Sequence, residues 1–200
     1  MQMPADEEPL VNIRGTLVAL GPLRRELLPD YHRWINDFEV LRTLGANFRP
    51  MSMEQESGWY DHSSTAEHNH PFTIYELSTW RPIGSTALMG IDHANRTAEF
   101  GIMIGEADCR GKGYGTEVTR LMLDYAFTAL SLNSVMLTVA EYNAAGRRAY
   151  EKAGFQEIGR RRQCRMRAGT LYDMIYMDCV RTEFSSSVLA SILVPDQPPR

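Results

Sequence analysis

Apolar positions along this 200-residue chain change their period several times, and each change marks an element. Residues 16–20 are a short apolar run ended by Gly21-Pro22, a strand candidate. From 24 to 44 the spacing becomes helical, with Leu27, Leu28, Tyr31, Trp34, Ile35, Phe38 and Leu41 recurring at helical intervals. Pro29 falls inside that stretch and splits it into a turn and a helix. Ser52 is placed to cap a second helix running through Trp59, with Glu54 and Glu56 in its first turn. Residues 62–71 are polar and loop-like.

The pattern then turns to strands. Residues 72–77, 83–91 and 97–104 are apolar runs separated by turn residues, close enough to form an antiparallel meander. The stretch CRGKGYGT at 109–116 follows, and after it Val118, Leu121, Met122, Tyr125 and Ala129 mark the buried face of a helix. Residues 134–140 predict a strand and 144–153 a short helix ending at Gly154. Residues 155–166 and 171–180 predict a final hairpin around Ala168-Gly169. The strand-helix-strand unit implies a locally parallel pair inside a mixed sheet, an α+β fold. The chain divides into a loose N-terminus (1–10), one domain (11–181) and a C-terminal tail (182–200), Ser-rich then Pro-rich, which is either an ordered arm or disordered.

Composition narrows the function classes. The net charge is −4 and the pI about 5.8, so there is no global basic field and no nucleic-acid partner is expected. No apolar run approaches membrane-spanning length and no secretory pattern opens the chain, so no membrane partner is expected and the cytoplasm is the default. Cys109, Cys164 and Cys179 are odd in number and widely spaced, which fits free thiols in a reducing compartment. His68 and His70 lack a third ligand at metal spacing, so no metal is expected. Arg160, Arg161, Arg162, Arg165 and Arg167 make a basic strand, either a solvated edge or a contact for an anion.

Three glycines in five residues are costly unless something needs the backbone bare. A helix start carries unpaired N–H groups and partial positive charge, and glycines let an anion reach them. Taken alone, the stretch is either such a phosphate site or a glycine-rich turn. It is neither a Walker A loop, since no Gly-Lys-Ser/Thr ends it, nor the dinucleotide fingerprint, since the preceding strands read as antiparallel.

With its neighbours, the stretch resembles the GNAT superfamily of acyl-CoA-dependent N-acetyltransferases. The resemblance rests on Arg110-Gly111-Lys112-Gly113-Tyr114-Gly115 after the run TAEFGIMI, and on Asn143, Tyr150 and Gly154-Phe155 in NAAGRRAYEKAGF. It spans roughly residues 13–180 and is most like the RimJ/RimL-like branch. It implies a mostly antiparallel, twisted sheet of about seven strands, splayed at the cofactor site and flanked by about four helices. It implies acetyl-CoA as co-substrate, with the pyrophosphate on the backbone of Arg110, Gly111, Lys112, Gly113, Tyr114, Gly115 and Thr116. Main-chain groups of Met103 and Ile104 would meet the arm that carries the thioester.

Asn143 and Tyr150 are seven residues apart, about 700° of helix, so they share a face. The resemblance implies that Asn143 contacts the pantetheine arm and that Tyr150 protonates the leaving thiolate. Glu99 is the candidate base for the amine, or else a surface acid or positioning group; Asp173 is a weaker candidate. Trp34, Phe48, Trp59 and Tyr60 either line the acceptor pocket or belong to the core. The acceptor is then the amine of a small molecule or, alternatively, a protein N-terminus; a catalytically silent acyl-CoA sensor is the competing class. Many family members dimerise, so a homodimer is compatible.

Overall fold

The computed structural model describes residues 8–45, 48–193 and 195; most of the N-terminus read as loose lies outside the described residues, as do 194 and 196–200 of the tail. The described residues build one open sheet of eight strands: β1 (Ile13–Arg14), β2 (Val18–Pro22), β3 (His70–Glu76), β4 (Pro82–Asp92), β5 (Thr97–Ile104), β6 (Ser134–Ala140), β7 (Gln156–Arg167) and β8 (Thr170–Val180). Their order is β1-β2-β3-β4-β5-β6-β8-β7, antiparallel throughout except where β5 meets β6. The mixed, mostly antiparallel fold expected from the sequence is therefore present. β1, two residues long, is the strand that patterning does not reveal.

The helices are α1 (Leu28–Ile35), α2 (Phe38–Leu41), α3 (Met53–Ser63), α4 (Tyr114–Asp124), α5 (Ala144–Ala153) and α6 (Leu189–Leu193). Pro29 sits in the first turn of α1, after a 3-10 turn at Arg25–Leu27, where its missing N–H costs nothing. A second break, absent from the sequence expectation, falls at Asn36-Asp37. Asp37 caps α2, and the Asn36 side chain bonds the His32 carbonyl and both backbone groups of Met51. Ser52 and Gln55 form a capping box at α3.

Two apolar clusters occupy opposite faces of the sheet. Ile74, Ile102 and Ile104 belong to or pack on a large cluster with Val118, Leu121 and Met122 of α4; Tyr75 and Met103, one residue out of phase, pack on a smaller cluster with Tyr31 and Trp34 of α1. Period-two alternation produces this division. The consequence for the site lies at β5–β6. That pair closes at only three rungs, Thr97–Ser134, Ala98–Val135 and Glu99–Met136. Beyond Glu99 the strands part, while β6 stays paired with β8 as far as Ala140–Met174.

The segment set apart as a tail docks on the domain through Leu189. Asp124, fully buried on α4, accepts the Ser186 hydroxyl at 2.6 Å and the N–H groups of Val188 and Leu189 at 3.0 Å each. Phe184 stacks 5.5 Å from Phe127.

Candidate active site

The glycine turn enters α4 through two left-handed residues, Gly111 (φ 75°) and Gly113 (φ 90°), a conformation that disfavours any side chain. No side chain caps the helix, so its first N–H groups are presented outward. A Cβ at Gly111 or Gly115 would meet nothing within 4 Å, so open space lies above this backbone. A groove of ≈ 690 Å³ extends along α4, lined by Gly113, Thr116, Arg14, Arg120 and Lys152. The bare backbone, the uncapped helix and the cationic groove fit an anionic ligand of pyrophosphate type.

Of the nearby acids, Glu117 also lines the groove, but its carboxylate is taken up by other partners. Glu117 receives the N–H groups of Thr16, Leu17 and Val18 at 2.7–2.9 Å and the Thr16 hydroxyl at 2.5 Å, so its charge serves the β1–β2 turn. Tyr114 points inward and donates its hydroxyl to Glu76 Oε1 at 2.6 Å. That bond holds the Glu76 carboxyl below its ordinary range and, together with burial, pushes the Tyr114 phenol up to about 12. Tyr114 is thus an anchor by its side chain.

The open edge of β5 has a definite polarity. The Gly105 N–H donates to the Ile83 carbonyl on β4 at 2.9 Å, and main-chain groups alternate sides along an antiparallel strand. The peptide groups of Gly101 and Met103 therefore face β4, and those of Ile102 and Ile104 face the gap left by β6. Of the two residues expected at the thioester arm, Ile104 offers its backbone there, while Met103 pairs with Ser85.

α5 begins at the far side of the gap. The Asn143 side-chain Oδ1 accepts the Gly146 N–H at 2.9 Å, and a Cβ on Gly146 would stand 2.6 Å from the Asn143 side chain. Asn143 is thus a helix cap held against glycine. Tyr150, two turns later, packs against Phe100 and Phe155, with ring centroids 6.2 Å from each. Burial pushes its phenol up to about 12, and among the described residues nothing hydrogen-bonds its hydroxyl. Glu99, at the last closed rung, is exposed on the opposite face of the sheet from Ala98 and Phe100, the face that carries α1.

Other candidates have structural duties. Asp173 accepts the Gln163 N–H at 2.9 Å and so pins a bulge in β7, where Gln163 is left-handed (φ 51°). Arg160 pairs with Glu157, and Arg167 lies 4.7 Å over the Phe48 ring, so the basic strand is partly neutralised and partly tucked in. Trp34 is core at 1% exposure, whereas Phe48 and Trp59 are exposed and Tyr60 lies half-buried beneath Arg25. Sequence reading missed the role of Glu106, which binds Arg33 and Trp34; no spacing signal links positions so far apart.

Comparison with known proteins identifies the family. Residues 18–156 match the family model described as acetyltransferase (GNAT) domain. Spermidine N(1)-acetyltransferase of Escherichia coli K12 is 32% identical over 142 residues, 71% of this chain and 74% of that protein. Human alpha/beta-tubulin-N-acetyltransferase 9 is 28% identical over 156 residues, 72% and 74% of the two chains. The crystal structure of Vibrio cholerae spermidine N-acetyltransferase with CoA and spermine superposes at a TM-score of 0.77 with 25% identity, covering 84% of this chain and 97% of that one. The chain belongs to the GNAT acetyltransferase family and is an acetyl-CoA-dependent N-acetyltransferase.

Proposed function

We propose that this enzyme acetylates a primary amine of a small molecule, of the polyamine class, by direct attack within a ternary complex. The observation that carries this is the parted β5–β6 pair, which opens the sheet between the α4 helix start on one face and the α1 face on the other. Similarity to spermidine acetyltransferases supports the acceptor class. The acceptor face supports it as well. Glu99, Met136 and Asp178 form one row across β5, β6 and β8, which puts two carboxylates about 10 Å apart on that face, suited to a polycation.

Acetyl-CoA supplies the activated acyl group. The backbone from Arg110 to Thr116 holds its pyrophosphate, with Arg110 and Lys112 adding charge. The Ile104 N–H faces the arm and stabilises the oxyanion that develops under attack. Glu99 accepts the amine proton, directly or through water. Tyr150, kept neutral by burial, gives a proton to the departing thiolate. Asn143 fixes the start of α5 and so the distance of Tyr150 from the gap.

A second reading, acetylation of a protein N-terminus, is favoured by the similarity to the tubulin acetyltransferase. Thiol release from acetyl-CoA, followed with spermidine, spermine, monoamines and N-terminal peptides, separates the two. Turnover at least tenfold faster on polyamines than on peptides is expected. Preference for peptides overturns the small-amine reading, and tight CoA binding without turnover on any amine replaces it with a silent sensor.

A further inference from the structure

Gly105 and Glu106 join β5 to the glycine turn, and several groups converge on them. Their N–H groups both donate to the Ile83 carbonyl, at 2.9 and 3.2 Å. The Arg110 guanidinium donates to the Gly105 carbonyl at 3.4 Å. The Trp34 ring covers Gly105 so closely that a Cβ there would stand 2.2 Å from its Cγ. The Trp34 indole N–H donates to Glu106 Oε1 at 2.8 Å, and Arg33 donates to the same oxygen at 2.6 Å. The Glu106 side chain is 16% exposed. Burial pushes its carboxyl upward, but the bonds from Arg33 and Trp34 outweigh this and hold it below the usual range.

A buried indole N–H needs an acceptor, and any carbonyl or water would serve. Here the acceptor is a carboxylate two residues beyond Ile104, on the peptide that turns from strand into cofactor loop. Its donors belong to α1, on the opposite face from α4 and α5. One side chain therefore ties the acceptor-face helix to the backbone between the Ile104 N–H and the glycine turn.

We propose that Glu106, gripped by Trp34 and Arg33, is a positioning residue for acetyl transfer: it fixes the Gly105–Glu106 peptides and thereby aims the Ile104 N–H at the thioester carbonyl. This rests on the acetyl-transfer roles proposed above. Removing an oxyanion donor outright costs about 10²–10³ in rate, so misaiming one costs part of that.

Trp34→Phe keeps a ring over Gly105 and loses the N–H. It should lower kcat about tenfold, with CoA affinity by calorimetry and acceptor KM both within about twofold of wild type. Glu106→Ala should lose as much. Glu106→Gln, which still offers an oxygen to the indole, should recover most of the rate. Hydrogen exchange of the Met103, Gly105 and Glu106 amides, which face β4, should quicken about tenfold in Glu106→Ala, with β3 unchanged. Wild-type kcat in Trp34→Phe and Glu106→Ala overturns the proposal, as does a loss accounted for by weaker CoA binding or lower folded fraction. If the wild type acetylates no amine, the transfer reading fails by itself; unchanged exchange in Glu106→Ala then separately overturns the grip.

Discussion

The proposed reaction assigns its most specific chemistry to Tyr150. Its phenol, pushed up to about 12 by burial, stays protonated across the working range. Because the shift is upward, the proton-donating form is complete below the ordinary tyrosine value and is lost only as pH rises through the elevated one. The expected rate profile therefore rises with pH as the amine loses its proton and shows no alkaline fall below about pH 10. Tyr150→Phe should cut kcat about 100-fold with CoA affinity unchanged. In the same titration Glu99→Gln should lower the rate mainly at the acidic end, where free amine is scarce. A wild-type profile in either variant removes that residue from its role. The placement of Asn143 and Tyr150 at the start and on the body of one helix was legible in the sequence. The orientation of Met103 and Ile104 was not: adjacent residues in a run such as GIMI look alike until pairing with β4 decides which backbone faces the gap.

At the level of elements, legibility followed the range of the interactions. β5, β6 and α5 fall where the patterning places them, because turn residues, the Asn143 cap and the left-handed Gly154 bound them locally. The β7–β8 turn is equally local, with Ala168 (φ 46°) and Gly169 (φ 80°) both left-handed. The π-helical turn at Tyr125–Ala129 and α6 escaped, since partners distant in sequence hold them, whereas β1 pairs locally with β2 and escaped because two residues are too few to show a period. α6 gives the clearest test. Burial pushes the Asp124 carboxyl upward, and the hydroxyl and N–H donors around it prevail and hold it low. Anchoring of the arm is thus complete above the ordinary aspartate value of about 4 and is lost as pH falls through the depressed one. Asp124→Asn puts an amide NH2 in place of one of two accepting oxygens, Oδ1 with the Ser186 and Thr128 hydroxyls or Oδ2 with the Ser187, Val188 and Leu189 N–H groups. It should cost about 3 kcal/mol and lower Tm on the order of 10 °C. It should also open the chain to protease near Phe184. A Tm within about 2 °C of wild type would mean that apolar packing, through Leu189 and Phe184, holds the arm unaided.

At the scale of the whole molecule, the proposed reaction uses both faces of the sheet, joined at one gap. The glycine turn and its groove lie on the α4 side; Glu99 and α1 lie on the other. A donor and an acceptor approaching from opposite faces can be bound together, so no covalent acyl-enzyme is required. The thiol nearest the glycine turn is unsuited to form one. Cys109 is buried, Arg81 donates to its Sγ at 3.0 Å, and desolvation pushes the thiol up despite that contact. A nucleophilic cysteine needs its thiolate, and this environment withholds it. Initial-rate lines at several fixed acetyl-CoA concentrations should intersect, and Cys109→Ala should keep kcat within about twofold. Parallel lines, or a collapse of turnover in Cys109→Ala with the fold and CoA affinity intact, would require an acyl-enzyme route instead. Intersecting lines with a silent Cys109 leave the two-faced gap as the device that brings amine and thioester together.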